Sequence, residues 1–318
     1  TLISMSSKKR KDRYNKMKND TITSSSDNLK LHLTYIEPSS TKKGIVQISH
    51  GMAEHKERYY EFMEYLSKKG YIAVIHDHRG HGSSVKKEED LGYFYTEDIN
   101  NIIEDLHDVT KYIKKKYPNL PLYLFSHSMG TLVARGYIQK YDNEIDKLVL
   151  CGPPTKNSLT KLAILLSTIS KPFKKATTPN YFLNKLTFGS YNKGNSIENS
   201  WLSKNKKNIE EYNQDPLCGF IFTTNGFNNL YKLMDNAFKK SKYQLQNQNL
   251  PILLIARAND PVIQNEAKFN NLVSFLNLVG YTQTKSKLYP ELGHEILNEE
   301  EKTAIYKDIL NFLENKGD

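Results

Sequence analysis

Five short, predominantly apolar segments constrain this fold more than any other feature: Gly44–Ile48, Tyr71–Ile75, Leu122–Phe125, Leu148–Cys151 and Ile252–Ala256. Runs of this length, without polar alternation, suit strands covered on both faces, and parallel sheets are covered that way. Helical patterns lie between them. Tyr59, Phe62, Met63 and Leu66 fall at helical spacing, as do Ile99, Ile102, Ile103, Leu106 and Ile113. Later sets are Phe269, Leu272, Val273 and Leu276, then Ile305, Ile309, Phe312 and Leu313. Strand alternating with helix predicts βαβ units in an α/β fold with a largely parallel, doubly wound sheet. Leu29–Tyr35 alternates apolar and polar residues and predicts a half-buried antiparallel strand.

One stretch breaks the alternation. Nearly one hundred residues, from about Gly152 to Leu250, separate two core strands and are rich in Lys, Asn and Ser. A structureless loop of that length does not fit a compact domain. The segment is expected to be a helical cap over the sheet's carboxyl edge, with helices near Leu159–Ile169 and Phe227–Phe238. The expected organisation is a core of residues 23–152 and 250–318, a cap of 153–249, and a disordered or artificially appended tail of 1–22.

The net charge of +10 favours anionic surfaces, and peripheral contact with an anionic membrane is one expectation. Much of the excess is spread as lysine pairs, and no nucleic-acid motif accompanies it, so no nucleic-acid partner is expected. Two cysteines, Cys151 and Cys218, build neither a disulfide framework nor a metal-ligand spacing. The basic N-terminal stretch lacks the apolar region of a signal peptide, and the run Leu162–Ile169 is too short to span a bilayer. These features point to a cytoplasmic protein.

Ser126-His127-Ser128-Met129-Gly130-Thr131 follows the strand ending at Phe125 and precedes a helical pattern. Strand, tight turn with small residues around a serine, then helix is the layout of a nucleophile elbow, although Ser126 replaces the first glycine of G-x-S-x-G. A serine hydroxyl needs a general base, and the base needs an orienting group. Downstream, Asp260 lies just past the strand Ile252–Ala256, and His294 follows a short strand near Lys287–Tyr289. Ser128, Asp260 and His294 thus stand in the chain order of an α/β-hydrolase triad. The backbone N–H of Met129 and of Met52, in the loop His50–His55, are the candidate oxyanion donors.

Other strings have plainer readings. Asp77-His78-Arg79-Gly80-His81-Gly82-Ser83-Ser84 resembles a metal-binding string but completes no ligand shell, so a hydrogen-bonded loop is expected. His127 is expected to point away from the base and pack beneath the elbow.

Taken in order, HGMAEHKERY, HDHRGHGSS, SHSMG, NQDPL, ANDPV and YPELGHE resemble the monoacylglycerol lipase and lysophospholipase branch of the α/β-hydrolase superfamily. The resemblance covers about Leu29–Gly152 and Pro251–Leu313, with NQDPL the one matching string in the cap. It implies an eight-stranded α/β-hydrolase sheet and a cofactor-free, metal-free serine hydrolase acting on esters of one long acyl chain. By the same match Ser128, Asp260 and His294 form the triad, and Met52 and Met129 the oxyanion hole. Glu54 and Arg58 match residues near the glycerol end of the family's pocket. An ion pair anchoring loop to cap is their alternative role. Ser126, and Ala258 where glycine is common, depart from the family pattern. A short- or medium-chain carboxylesterase, thioesterase or peptidase is the rival on this scaffold. A non-catalytic binding protein of the same fold is the remote one.

Overall fold

A computed structural model of the chain describes residues 16–171, 175–192 and 196–315. Eight strands form one sheet: β1 (Lys18–Thr23), β2 (Lys30–Ile36), β3 (Gly44–Ser49), β4 (Tyr71–His76), β5 (Leu122–His127), β6 (Lys147–Cys151), β7 (Ile252–Arg257) and β8 (Thr284–Tyr289). Their order is β1-β2-β4-β3-β5-β6-β7-β8; β2 pairs antiparallel with both β1 and β4, and every other pairing is parallel. Every residue of β3, β4 and β6 is buried, as strands covered on both faces require.

Alternation within each strand feeds two cores. On one face Ile72 and Val74 of β4, Leu148 and Leu150 of β6, and Leu254 of β7 meet helices α2 (Ile99–Lys116), α3 (Met129–Tyr141) and α8 (Glu266–Val279). On the other, Ala73 and Ile75, Val149 and Cys151, and Ile255 meet α1 (Tyr60–Lys68) and α9 (Lys302–Leu313). A polar residue on the first face, Gln47, is fully satisfied: its amide donates to Leu106 O at 2.8 Å and accepts from Thr110 Oγ1 at 2.8 Å. That pairing removes the cost of burying an amide.

Between β6 and β7 the chain forms α4 (Thr160–Ser170), α5 (Tyr181–Phe188), α6 (Lys206–Gln214) and α7 (Thr224–Ala237). The segment does not sit apart from the core, because Phe227, Leu230 and Leu233 of α7 join the first core cluster. Asn228 of α7 donates to Ser167 Oγ of α4 at 2.8 Å, fixing the two helices together.

The tail expected to end at residue 22 needs correction. Lys18–Thr23 pair with β2 in register from Lys18↔Tyr35 to Thr23↔Lys30, so residues 18–22 belong to the sheet. Its residues 1–15 lie outside the described residues. No helix among the described residues is long and apolar enough to cross a membrane.

Candidate active site

β5 delivers Ser128 to the sheet's carboxyl edge, and α3 begins at the next residue. Ser128 has φ 50° and ψ −119°, a conformation that costs a non-glycine residue free energy and lifts its side chain out of the turn. Neighbours hold it there. Ser128 N–H donates to Cys151 O at 2.9 Å, and Thr131 donates to Ser128 O from both its N–H and its hydroxyl. Gly130 is required by close approach, since an added Cβ would collide with the carbonyl oxygens of Ser49 and His50. Ser126 fits for the opposite reason. Its buried hydroxyl donates to Val149 O in the adjacent strand at 2.9 Å, so the extra atoms have a partner.

Asp260 sits three residues past β7 and is fully buried. His294 Nδ1 donates to its Oδ2 at 2.6 Å, and Val262 N–H donates to Oδ1 at 2.9 Å. The carboxylate is therefore held from two sides and fixes the imidazole plane. His294 Nε2 is buried and has no partner among the described residues, Ser128 included. The Trp201 ring lies 5.2 Å from the His294 ring, and His294 N–H donates to Trp201 O at 3.3 Å. Gly152 leaves β6 at φ 57°, and a Cβ there would lie 2.8 Å from His294 Cε1.

Ser128, His294, Met52 and Met129 line a cavity of about 490 Å³. Leu166, Phe220, Ile221, Leu230 and Met234 line its apolar remainder. The N–H groups of Met52 and Met129 make no hydrogen bond to another described residue, which leaves both as available donors at the site.

Glu54 and Arg58 are both heavily engaged. Glu54 Oε1 accepts from Gly51 N–H at 2.6 Å, Tyr59 hydroxyl at 2.8 Å and His127 Nδ1 at 3.2 Å. Arg58 donates to both oxygens of Glu295, to Asn208 Oδ1 of α6 and to Glu54 Oε2, and it stacks over Tyr212. Burial pushes the Glu54 carboxyl up, but His127 and Arg58 outweigh it and hold the group well below the usual carboxylate range. This network ties the loop after β3 to α6. Glu54 reaches the cavity wall; Arg58 does not.

His127 departs from expectation. Its ring lies 4.8 Å from that of His294, beside the candidate base and on the cavity wall rather than beneath the elbow. Burial works against its proton, yet the hydrogen bond and charge of Glu54 raise its pKa. The determinant is Glu54, 73 positions away, which no local pattern reveals.

The histidine-rich loop is a hydrogen-bonded structure. Asp77 accepts from Lys56 N–H and Nζ and from Ser83 N–H, while Arg79 pairs with Asp105 and Asp27. Among the described residues one group has metal-ligand chemistry, His55, Asp215 and Cys218, whose ligand atoms lie within 4.8 Å of one another. His55 Nε2 and Asp215 Oδ2 already pair at 3.0 Å and join the loop after β3 to the end of α6. Sequence spacing alone could not bring Cys218 to His55.

Comparison with known proteins agrees with this architecture. The rat monoglyceride lipase is 26% identical over 75% of this chain and 72% of its own. The monoacylglycerol lipase of Mycolicibacterium smegmatis is 24% identical over 87% of this chain and 90% of its own. A thermostable carboxyl esterase from Bacillus coagulans, solved in complex with glycerol, superposes with a TM-score of 0.87 at 23% identity, covering 94% of this chain and 98% of its own. The model of one hydrolase family, described as serine aminopeptidase S33, matches residues 40–301, and the chain belongs to that family.

Proposed function

We propose that the protein is a serine hydrolase that cleaves carboxylic esters of single-acyl-chain lipids, a monoacylglycerol or a lysophospholipid, through an acyl-enzyme on Ser128. One observation carries the reading: a serine in a strained elbow and His294, whose ring Asp260 holds, line the same largely apolar cavity. His294 takes the Ser128 proton through Nε2, while Asp260 holds the ring and stabilises the imidazolium. Ser128 Oγ attacks the ester carbonyl, and the oxyanion faces the N–H groups of Met52 and Met129. The alcohol leaves with the proton from His294, and water activated by the same imidazole releases the fatty acid.

The cavity volume of about 490 Å³ falls in the range that encloses small ligands, and its apolar walls suit one acyl chain. The names of the relatives support the lipid class. An aminopeptidase would need a carboxylate for the substrate's ammonium group. Glu54 and Glu295, the buried carboxylates on the cavity wall, are already occupied by Arg58, Tyr59, Gly51 and Asn208. Leu162, Leu165 and Ile169 of α4 and Phe182 of α5 are each more than half exposed beside this cavity. With the net charge of +10, that apolar face supports peripheral contact with an anionic membrane on the cytoplasmic side. Phe173, which follows the same apolar run in sequence, lies outside the described residues.

Fluorophosphonate labelling tests the chemistry: wild type takes up the label and Ser128→Ala does not. Absence of label on wild type overturns the catalytic reading. The chain-length profile on p-nitrophenyl esters, beside monoacylglycerol and lysophosphatidylcholine, tests the substrate. A preference for acetyl or butyryl esters overturns the lipid assignment.

A further inference from the structure

A second cavity of about 790 Å³ adjoins the first. Asn157, Tyr191, Trp201 and Gln264 line both, so the two spaces adjoin at the Trp201 ring, which lies 5.2 Å from the His294 ring. Their charges are segregated. The acidic and basic chains on the main cavity wall, histidines apart, are the carboxylates Glu54, Glu198 and Glu295. Those on the second are Lys204 and Arg257, and no carboxylate among the described residues lines it.

Arg257 ends β7 at the sheet's carboxyl edge, three residues before Asp260. The guanidinium makes one long contact, Nη1 to Trp201 O at 3.5 Å, and forms no ion pair with a described carboxylate. Lys204 donates its backbone N–H to Glu299, while its ammonium has no described partner. Two cations facing one polar space repel each other until an oxyanion sits between them, and a guanidinium fork matches phosphate geometry. Ser200 and Asn259 add hydrogen-bonding groups to the same wall.

We infer that this vestibule selects single-chain lipid esters whose headgroup carries an anionic phosphate, with Arg257 and Lys204 as the specificity-determining side chains. The phosphate occupies the vestibule, the acyl chain fills the apolar cavity, and the ester lies between them near Ser128. The described walls of the main cavity offer a phosphate no lysine or arginine. The inference rests on the lipid-ester reading for its chemistry, but its binding half can be measured without turnover.

Trp201 is the single tryptophan of the chain and lines both cavities, so its fluorescence reports occupancy. The full chain is titrated with two non-hydrolysable ether lipids of equal chain length, an alkylglycerol phosphate and the neutral alkylglycerol. The phosphate lipid is expected to bind about tenfold more tightly, a difference typical of one or two charge-assisted contacts. That ratio falls to near one in the Arg257→Gln/Lys204→Gln double variant, checked for folding by its circular-dichroism melt, and shrinks in about 0.5 M salt. Equal binding of the two lipids by wild type, or an unchanged ratio in the double variant, overturns the inference. Inorganic phosphate that competes as well as the phosphate lipid assigns the site to the free ion and overturns the lipid headgroup. Turnover of the matching esters separates the two readings. Preferential binding without turnover of either ester sinks the hydrolase reading and leaves the vestibule standing. Equal turnover of both esters sinks the vestibule and leaves the hydrolase.

Discussion

Arg58 and Glu295 meet as a two-bond fork, Nη1 to Oε1 at 2.5 Å and Nη2 to Oε2 at 2.7 Å, and Glu295 is the residue directly after His294. The turn after β3, α6 and the base-bearing loop are thereby joined through one buried cation. Burial pushes the Glu295 carboxyl up, and Arg58 more than offsets it. Arg58→Gln would leave Glu295 and Glu54 buried without their counter-ion. The expected loss is about 3–5 kcal/mol in urea denaturation, the usual cost of removing one partner of a buried pair. The Arg58→Gln/Glu295→Gln double variant should recover part of it. A single variant within about 1 kcal/mol of wild type would show that the fork is not structural.

The elbow yields a contrasting pair. Gly130→Ala drives a methyl group into the Ser49 and His50 carbonyls, so the start of α3 must shift. A displacement of that kind is expected to slow fluorophosphonate labelling about a hundredfold. Ser126→Ala loses only the bond to Val149 O, a cost of about 1 kcal/mol in thermal or urea denaturation, and labels at near the wild-type rate. Equal labelling rates for the two variants would contradict this account of the turn.

His50, His76, His78 and His81 form a buried cluster, with ring centroids 4.4–6.3 Å apart. Burial depresses all four, His76 and His81 to about 3. The unfolded chain binds their protons below its ordinary pKa near 6.5 while the folded chain does not. Their stabilisation is therefore present above that pH and declines as pH falls from 6.5 toward 3, by about 1.4 kcal/mol per unit for each residue. His127 acts in the other sense. Raised by Glu54, it stabilises fully below 6.5 and loses that contribution as pH rises. Four outweigh one. Urea denaturation at pH 5.5 should give a stability about 3 kcal/mol or more below that at pH 7.5, with proton uptake on unfolding. Equal stability at the two values would refute the assignment of neutral histidines.

Leu165 and Ile169 on α4 are 57% and 54% exposed and do not line the main cavity. Leu165→Ser/Ile169→Ser should weaken binding to phosphatidylserine vesicles about tenfold or more, given the value of each buried side chain. Hydrolysis of a soluble p-nitrophenyl ester should persist. Vesicle sedimentation unaffected by the substitutions would exclude this face as the membrane contact.

The parallel strands were legible because burial on both faces leaves uninterrupted apolar runs, as in Tyr71–Ile75. The placement of Ser128 and Asp260 at the sheet's carboxyl edge was legible because each follows such a strand, whereas His294 follows β8, a largely polar and exposed strand marked only by its short alternation. β1 was not, since its edge residues Lys18–Thr23 are almost wholly exposed and carry no apolar alternation. Helix α6, with the sequence KKNIEEYNQ, buries only Asn208, Ile209 and Tyr212, too sparse a stripe to announce a helix. The position of His127 and the meeting of Lys204 with Arg257 depend on contacts distant in sequence, which periodicity cannot encode.

Gly152 has a consequence for how such enzymes diversify. The chain departs into the segment of α4–α7 at a residue whose missing Cβ makes room for His294, and it returns into β7, the strand whose end at Arg257 lies three residues before Asp260. Insertion and chemistry thus share hinges. A graft replacing residues 153–249 could exchange substrate range while keeping turnover, provided the donor segment is spliced behind a glycine. Any larger residue at that splice would press on the His294 ring before the new segment met a substrate.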